Sequence, residues 1–421
     1  MKRRQFLGAA SAAATAPLFI PSRAFGANDR IVTAHIGVGN QGTGNLMRFA
    51  NEAAVICDVD QAMLNKAATK FEKEKGRKLE LETDFRRVLD RKDIDAVVIT
   101  TPDHWHAIQT IMACQAGKDV YCEKPLSLTI DEGTAMVKAA RTHQRVVQTG
   151  SQQRSSAEFL LACRLVRSGR IGKVTEVHVG LPASNHPYRS HPPVPDAPPP
   201  SSLDYDFWLG PAPQRPYNVD RVHYNFRFFW DYSGGQMTNF GAHHIDIAHW
   251  GLGMDESGPL TVQGTAEFHP DGWIDVPLAC RLTYSYPGDV KMIVGQLQSD
   301  IQGGTRFIGT AGEITVNRGK VSSKPDSIVT DAQQEGGDDG LMELYRSTNH
   351  HQNFLDCIAS RNRPICDVEI GHRTATACHL GNIALRTGKT VQWDAAEQRI
   401  VSDDETAKMT SRPSRAPWNQ T

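Results

Sequence analysis

A glycine-rich motif near the amino terminus constrains the fold of this chain more than any other feature. Residues 37–42 read Gly-Val-Gly-Asn-Gln-Gly; they follow an apolar stretch and open a segment with helical spacing. In a strand–turn–helix unit, such glycines permit a tight turn, a close approach of the backbone to a pyrophosphate, and close packing of helix on strand. The helix N-terminus also faces the phosphate charge. The motif therefore predicts a dinucleotide-binding Rossmann unit, whose cofactor contacts include Gly37, Gly39, Asn40, Gln41 and Gly42.

A carboxylate at the end of the next apolar stretch indicates which dinucleotide is bound. Asp58 follows the motif by about 20 residues, the spacing at which a carboxylate accepts hydrogen bonds from the adenosine ribose. The alternative is a glycine-rich turn beside a solvent-facing aspartate. Because a carboxylate repels the extra phosphate of NADP, Asp58 favours NAD as the cofactor.

The first third of the chain alternates short apolar stretches with segments of helical spacing. The apolar stretches are predicted as buried strands at residues 31–37, 53–58, 96–101, 119–122 and 146–149. Strands that alternate with helices in this way form a parallel sheet that is covered on both faces. We therefore predict an α/β Rossmann domain with a parallel sheet over residues 28–150.

The remainder of the chain has a different pattern. A proline-rich loop at residues 182–200 precedes consecutive predicted strands at 261–268, 278–286, 291–297, 305–309 and 313–316, which Pro-Gly and glycine-containing turns connect. This order predicts an α+β carboxyl-terminal domain with a large, mostly antiparallel sheet. We assign substrate binding and oligomerisation to it, over residues 151–421. Two domains also suit the length of 421 residues, which exceeds one ordinary core.

The first 27 residues are predicted to be an export signal of the twin-arginine type. The pair Arg3-Arg4 precedes an apolar, alanine-rich stretch at residues 7–20, and small residues at 24–27 provide a cleavage site between Ala24 and Asn28. The alternative, an amphipathic helix of the folded protein, lacks a polar face. We therefore expect a periplasmic protein that has no membrane association after cleavage.

The net charge and the cysteine content limit the classes of binding partner and the state of the thiols that we expect. A formal net charge of -1 gives no electrostatic reason to expect nucleic acid or an anionic membrane as a partner. The eight cysteines include no Cys-x-x-Cys pair, so zinc is not predicted. Because twin-arginine substrates fold in a reducing compartment, we predict buried thiols instead of disulfides.

Two further motifs follow predicted strand ends, which form the ligand edge of a parallel sheet. Thr101 and Pro102 can pack near the dinucleotide, with His106 close behind them, although histidines here can also be polar residues at a helix N-terminus. Glu123 and Lys124 come after another strand. A lysine beside nicotinamide can hold a substrate hydroxyl and compensate the charge of a forming alkoxide. Taken by itself, Lys124 is better explained as a surface lysine before a helix-starting proline.

Taken together, these motifs resemble the Gfo/Idh/MocA oxidoreductases, which include glucose–fructose oxidoreductase and inositol dehydrogenase. The similarity is carried by the glycine motif, by Thr101-Pro102-Asp103 with His106, and by the run from Gly117 to Leu126. In the second domain, residues 234–246 resemble the glycine pair and Asp-x-x-x-His stretch of the family. Residues 353–356, 363–364, 393–394 and 415–418 resemble its bacterial-type carboxyl-terminal domain.

The resemblance implies the catalytic residues. Lys124 is expected to bind substrate, and His243 to act as general acid/base, a role that suits an imidazole of near-neutral pKa. The aspartate that the family places four residues earlier is Asn239 here, and an amide cannot stabilise an imidazolium as a carboxylate does. Asp246, about one helical turn after His243, is the alternative carboxylate.

Substrate and cofactor contacts are extended on the same basis. Predicted substrate contacts are Lys124, Arg154, Asn239, His243, His244 and Trp230, and predicted cofactor contacts include Thr101, Pro102, His106, Glu123 and Lys124. Arg154 could instead be a surface arginine, and the aromatic cluster at 226–230 could belong to the core. His350 and His351 are further candidates for the rim. The crowding of His243, His244, His249 and Asp246 permits a metal interpretation, but the family normally needs no metal and none is predicted.

The implied reaction is hydride transfer between NAD and a hydroxyl carbon of a sugar or cyclitol, by a homodimer or homotetramer. An exported enzyme meets no free NAD pool, so we expect a tightly bound cofactor that is recycled within each cycle. One alternative is redox-neutral cleavage of a glycoside through a keto intermediate, an activity of some relatives. A second is a non-catalytic sugar-binding protein, which Asn239 would permit.

Overall fold

The computed structural model describes residues 30–186, 193–334 and 340–418. The predicted signal peptide and the middle of the proline-rich loop lie outside these ranges. None of the described helices is long and apolar enough to cross a membrane. The described residues from Ile31 onwards form one compact unit that contains two sheets.

The first sheet is the predicted parallel sheet. It has six strands: β1 Thr33–Ile36, β2 Ala53–Cys57, β3 Glu80–Glu82, β4 Ala96–Ile99, β5 Asp119–Cys122 and β6 Val147–Thr149. Five helices alternate with them: α1 Asn40–Arg48, α2 Gln61–Lys75, α3 Phe85–Asp90, α4 Asp103–Gln115 and α5 Ile130–Thr142. All pairings are parallel, in the order β3-β2-β1-β4-β5-β6. The order reverses between β1 and β4, which opens a crevice at the carboxyl ends of these strands.

Burial on both faces explains why the sequence showed most of these strands. Every residue of β1, β4 and β5 is buried; β4 reads as a continuous apolar run, and β1 and β5 are mainly apolar. The exception is β3, which the sequence analysis did not predict. Its Glu-Leu-Glu segment lies at the sheet edge and is largely exposed, so no hydrophobic pattern marks it.

The second sheet has nine strands. They are β7 Val174–Leu181, β8 Thr261–Glu267, β9 Ala279–Tyr286, β10 Val290–Gln296, β11 Gly304–Gly309, β12 Gly312–Asn317, β13 Lys320–Lys324, β14 Val391–Asp394 and β15 Arg399–Ile400. The order is β13-β12-β11-β7-β10-β9-β8-β14-β15, and only β7 and β10 pair in parallel. The prediction of a large, mostly antiparallel sheet is therefore confirmed. The short strands β13, β14 and β15 were missed because they lie towards the sheet edges and are partly exposed.

Eight helices lie in the described part of the chain after β6, and those at residues 157–167, 241–252 and 368–387 pack against this sheet. The eight helices are α6 Ala157–Arg167, α7 Tyr205–Leu209, α8 Gln236–Asn239, α9 Gly241–Leu252, α10 Ser327–Gln334, α11 His350–Ser360, α12 Val368–Thr387 and α13 Asp404–Ala407, with 3-10 turns at Gln152–Ser155, His223–Phe228 and Lys408–Thr410. Along β9, Cys280, Leu282, Tyr284 and Tyr286 are buried in alternation with half-exposed residues. This period of two places the apolar side chains on the helix-covered face.

The long helix α12 connects the two sheets. It packs against strand β6 of the first sheet and the neighbouring helix α5, and against strand β8 of the second sheet and the neighbouring helix α9. Gly371 lies so close to β6 that a Cβ atom there would come within 2.0 Å of the Thr149 Oγ1. The approach of α12 to β6 fixes the second domain against the carboxyl ends of the parallel strands, where ligands bind.

The cysteines lie where the sequence analysis expected them. All eight are buried free thiols, and burial raises the pKa of Cys57, Cys114 and Cys163. They therefore behave as small apolar core residues.

Candidate active site

A cavity of about 990 Å³ lies at the carboxyl ends of the parallel strands. Its walls come from the residues that follow β4, β5 and β6, from α8 and the start of α9, and from the turn between β12 and β13. It adjoins a smaller cavity of about 270 Å³ around the glycine motif. Asn40, Gln41, Thr100, Thr101 and Arg227 line both. A ligand in the smaller cavity therefore extends directly towards the larger one.

The glycine motif has the geometry that a dinucleotide requires. Gly37 has φ = 83°, and a Cβ there would lie 2.7 Å from the Thr100 carbonyl oxygen. A Cβ on Gly42 would lie 2.0 Å from the Gly37 carbonyl oxygen, so these two glycines are needed for packing. Gly39 differs, because nothing lies within 4 Å of its Cβ position. Its backbone faces open space at the start of α1, where a pyrophosphate is bound in this motif.

Asp58 lies at the end of β2 and lines the smaller cavity, as the sequence analysis predicted. Its carboxylate accepts hydrogen bonds from the backbone N–H groups of Val38 (2.8 Å) and Asp60 (3.0 Å). Burial raises the pKa of Asp58, and the two N–H groups oppose this shift. Each oxygen retains a lone pair for a ribose hydroxyl.

Thr101 and Pro102 also line the smaller cavity, whereas His106 lines the larger one. The buried His106 ring lies between two carbonyl oxygens, with Nε2 2.9 Å from Thr101 and Nδ1 2.7 Å from Pro125. Because carbonyls only accept, both nitrogens must carry protons. Burial lowers the pKa of His106, but Cys122 and Asp103 raise it to about 10. His106 thus braces the segments after β4 and β5 against each other.

Glu123 is held by amide side chains. Its Oε1 accepts hydrogen bonds from Gln41 (3.0 Å), Asn45 (3.0 Å) and Gln152 (2.9 Å). Gln41, which was predicted to contact the cofactor, therefore also fixes Glu123. The sequence analysis missed Asn45 and Gln152, because they come from distant segments and carry no motif of their own. With Glu123 fixed, the direction of the next residue, Lys124, is set.

Lys124 reaches across the cavity to the second domain. Its Nζ donates hydrogen bonds to the side-chain oxygen (2.8 Å) and the backbone oxygen (3.0 Å) of Asn239. Burial lowers the pKa of Lys124 to about 8; Glu123 opposes this shift and Arg227 adds to it. A carboxylate in place of the Asn239 amide would hold the ammonium form more strongly.

His243 lies in the first turn of α9 and lines the same cavity. The buried Nδ1 atom has no hydrogen-bond partner among the described residues. Burial, together with Lys124 and Arg318, places the pKa of His243 well below its ordinary value. A neutral imidazole with a free ring nitrogen can accept a proton or a hydrogen bond from a substrate hydroxyl.

Asp246 does not act as the carboxylate partner of His243. It is fully buried, and its carboxylate accepts hydrogen bonds from Arg154 (2.8 Å) and from the Thr374 hydroxyl (3.1 Å). The prediction placed Asp246 beside His243 from helical spacing alone. A buried arginine, which the spacing could not show, binds this carboxylate instead.

Three predicted substrate contacts also lie away from the cavity lining. Arg154 is 1% exposed and forms ion pairs with Asp246 (2.8 Å) and Asp255 (2.7 Å). His244 packs on the ring of Phe240. The Trp230 ring packs against the guanidinium groups of Arg412 (3.6 Å) and Arg386 (4.3 Å). These residues stabilise the surroundings of the cavity, whereas Lys124, Asn239 and His243 line it.

The histidine-rich segment does not form a metal centre in the part of the chain that the structure describes, where no group of three or more candidate ligands converges. His249 is buried away from the cavity, and its Nε2 lies 2.7 Å from the Tyr286 hydroxyl. His350 and His351, the candidates for the rim, do line the larger cavity.

Comparison with known proteins agrees with this geometry. Residues 26–151 match the family model described as "Oxidoreductase family, NAD-binding Rossmann fold", and residues 165–420 match the "Oxidoreductase family, C-terminal alpha/beta domain". The chain belongs to the Gfo/Idh/MocA oxidoreductase family. Within this family the amino-terminal domain binds NAD, and the glycine cradle, Asp58 and Thr101-Pro102 fit that cofactor.

Among curated relatives, the alpha-N-acetylgalactosaminidase of Shewanella oneidensis is 32% identical over 147 residues. This match covers 33% of this chain and 32% of the relative, so the chain spans about a third of the length of the curated relatives it matches.

Solved structures share the fold over most of the chain. The WlbA dehydrogenase from Bordetella pertussis, in complex with NADH and UDP-GlcNAcA, has a TM-score of 0.63 at 18% identity. The superposition covers 87% of this chain and 99% of the WlbA chain. Aldose-aldose oxidoreductase from Caulobacter crescentus, complexed with glycerol, has a TM-score of 0.62 at 20% identity and covers 86% and 100%.

The open space at Gly39 leads to a specific prediction. Substitution Gly39→Ala should leave the melting temperature unchanged, since its Cβ meets no protein atom, but should weaken NAD binding roughly tenfold or more by blocking the pyrophosphate. Gly44→Ala is the matched control, because Gly44 is exposed on α1 and its Cβ position is equally open. Calorimetric titration with NAD measures the NAD affinity of the two variants, and thermal unfolding measures their melting temperatures. Equal NAD affinity in the two variants would contradict the assignment of the phosphate site.

Proposed function

We propose that the protein is an NAD-dependent oxidoreductase that transfers a hydride to or from a hydroxyl carbon of a sugar or cyclitol. The observation that carries the proposal is the position of Lys124. Its Nζ lies in the larger cavity, which the residues around the glycine motif connect to the dinucleotide site, and it shares this cavity with His243. A substrate hydroxyl placed here is within reach of both side chains.

The side chains of this chain would divide the work on the hydroxyl. NAD, when bound, supplies the hydride acceptor or donor. The protonated Lys124 donates a hydrogen bond to the hydroxyl oxygen and compensates the negative charge that develops on it. The neutral imidazole of His243, which lines the cavity, accepts the hydroxyl proton. Asn239 holds Lys124 in position through its two oxygen atoms.

The first test removes the ammonium group. Addition of a sugar or cyclitol substrate to NAD-loaded protein should raise the near-ultraviolet absorbance of reduced nicotinamide, and Lys124→Met should slow this rise about 10²- to 10⁴-fold. Lys138→Met, which removes an exposed lysine on α5, should have no effect. Sugars that bind without any absorbance change would favour the non-catalytic sugar-binding alternative.

The second test concerns pH. Because the pKa of Lys124 is about 8, its charged form prevails below that pH and is lost above it. We expect kcat/KM for oxidation to fall as the pH rises through about 8. Asn239→Asp should move this fall to higher pH by roughly 1 to 3 units, since a carboxylate stabilises the ammonium form. A kcat/KM that rises through this range would show that Lys124 is instead the base.

Redox-neutral cleavage of a glycoside is the second candidate function. The similarity to a curated alpha-N-acetylgalactosaminidase supports it. Free sugar released from a glycoside, with no net accumulation of reduced cofactor, would favour cleavage. Accumulation of an oxidised sugar with stoichiometric reduced cofactor would favour net oxidation.

We also propose that NAD is held tightly, and the carboxyl-terminal segment supports this. Trp418 packs against Phe85, Trp105 and Phe207, with ring centroids 6.3, 4.7 and 5.8 Å away. These three aromatic residues line the smaller cavity. Arg415 holds the same segment to α7 through Asp206 and the Gly210 carbonyl. The segment thus braces one wall of the dinucleotide site.

Loss of this brace should speed the release of the cofactor. Trp418→Ala should increase the NAD dissociation rate roughly tenfold, since about 1.4 kcal/mol of lost packing is enough. Phe268→Ala, which removes a partly exposed ring outside both cavities, is the control. Dilution of NAD-loaded protein into an assay that consumes released NAD gives the dissociation rate of each variant. Equally rapid, complete loss of NAD from wild type on dilution would contradict tight binding.

Export and assembly belong to the same proposal. The twin-arginine segment supports export to the periplasm, where a retained cofactor would be needed; amino-terminal sequencing of the mature protein from that compartment tests it.

The outward face of the nine-stranded sheet, which includes the partly exposed Arg281, Thr283 and Ser285, supports assembly into a homodimer or homotetramer. Light scattering tests the assembly, and a monomer at micromolar concentration would refute it.

A further inference from the structure

Besides Arg48, at the end of α1, two arginine side chains line the larger cavity without a carboxylate partner among the described residues. Arg227 donates one hydrogen bond, from Nη1 to the Tyr224 carbonyl oxygen (2.8 Å), and its guanidinium lies 4.0 Å from the centroid of the Tyr224 ring. Arg318 has one side-chain contact with a polar group, at 3.5 Å from the Gln153 Oε1. Among the described residues, neither guanidinium has a carboxylate oxygen within 4.0 Å. Because a guanidinium carries five N–H donors, most donors of both groups remain available to a ligand.

Arginines elsewhere in the described chain show the contrast. Arg154 pairs with Asp246 and Asp255, Arg141 pairs with Asp367, and Arg361 pairs with Asp119. Charged groups that leave water are normally paired in this way. The half-buried Arg227 lacks such a partner, although burial disfavours its charge and lowers the pKa of its guanidinium.

The carboxylates near these arginines are engaged elsewhere. Glu123 accepts hydrogen bonds from three amide groups, and Asp103 accepts one from the Ser233 hydroxyl (2.5 Å). Glu158 accepts one from the backbone N–H of Gly319 (2.9 Å). Asn239, which receives the hydrogen bonds of Lys124, carries no charge. Both arginines lie close enough to Lys124 to lower the pKa of its ammonium group.

We propose that the substrate is an acidic carbohydrate, whose carboxylate or sulfate-ester oxygens bind to Arg227 and Arg318. This inference rests on the proposed function, since it places the reacting hydroxyl at Lys124 and His243. The planar guanidinium fork matches the paired oxygens of both anionic groups. The cofactor pyrophosphate does not account for Arg318, which lines the larger cavity but not the smaller one. Arg318 is exposed and Arg227 lines both cavities, so an anion that binds both guanidinium groups lies in the larger cavity, where the substrate binds.

Binding to NAD-loaded protein tests the inference, with calorimetry as the readout so that turnover is not required. The ligands are glucuronate against glucose, galacturonate against galactose, and the sulfate ester of glucose, which distinguishes a carboxylate from a sulfate preference. We expect at least one acidic sugar to bind roughly tenfold to a hundredfold more tightly than its neutral parent. Higher salt should weaken the binding of the acidic sugar more than that of the parent.

Variants identify the side chains responsible. The double variant R227Q/R318Q should lose the preference for the acidic sugar while binding the neutral parent as before. Lys320→Gln is the matched control, since Lys320 is an exposed cation two residues after Arg318 that does not line the cavity. NAD affinity, measured in parallel, shows whether Arg227 serves the cofactor instead.

The outcomes separate this inference from the proposed function. Equal binding of acidic and neutral sugars, no binding of any acidic sugar, or a preference that survives in R227Q/R318Q would overturn the inference. A preference that depends on the arginines, without reduction of bound NAD by the sugar that binds, would uphold the inference and refute the oxidoreductase function. Loss of NAD affinity alone in R227Q/R318Q would assign Arg227 to the cofactor and overturn its role here.

Discussion

A buried lysine that spans two domains is the interaction on which the site depends. Lys124 leaves the end of β5 and finds its hydrogen-bond acceptors on Asn239, at the end of α8 in the other domain. An ammonium group removed from water must be satisfied in this way or lose its charge. The side chains around it support this crossing. Amide groups fix Glu123 before it, and His106 holds the carbonyl of Pro125 after it.

The replacement of a carboxylate by the Asn239 amide has consequences beyond one hydrogen bond. The amide can hold Lys124 in place but cannot neutralise it, so burial keeps the pKa of the lysine lowered. Arg227 and Arg318, which line the same cavity, have no carboxylate oxygen within 4.0 Å among the described residues either. The position of the reacting hydroxyl and the chemical class of the substrate thus follow from one electrostatic feature of the cavity.

Local sequence patterns predicted the parts of the molecule that local physics determines. Tight turns and buried strands produce patterns in consecutive residues, and these patterns predicted the glycine motif, Asp58 and the fully buried strands. Contacts between residues that are distant in sequence produce no such pattern. Helical spacing placed Asp246 next to His243, yet Arg154, from a segment far earlier in the chain, binds its carboxylate. The two arginines of the cavity were missed for the same reason, whereas the edge strand β3 was missed because its exposed residues give no hydrophobic pattern.

The central claim is that a carbon-bound hydrogen of the sugar moves to the cofactor in the cavity that contains Lys124 and His243. The most direct measurement supplies NAD-loaded protein with a sugar deuterated at its hydroxyl-bearing carbons and determines the mass of the cofactor after denaturation. The account predicts reduced cofactor that carries one deuterium, and its loss in Lys124→Met. Reduced cofactor without deuterium, or no reduction by any sugar or cyclitol that binds in the cavity, would contradict the account.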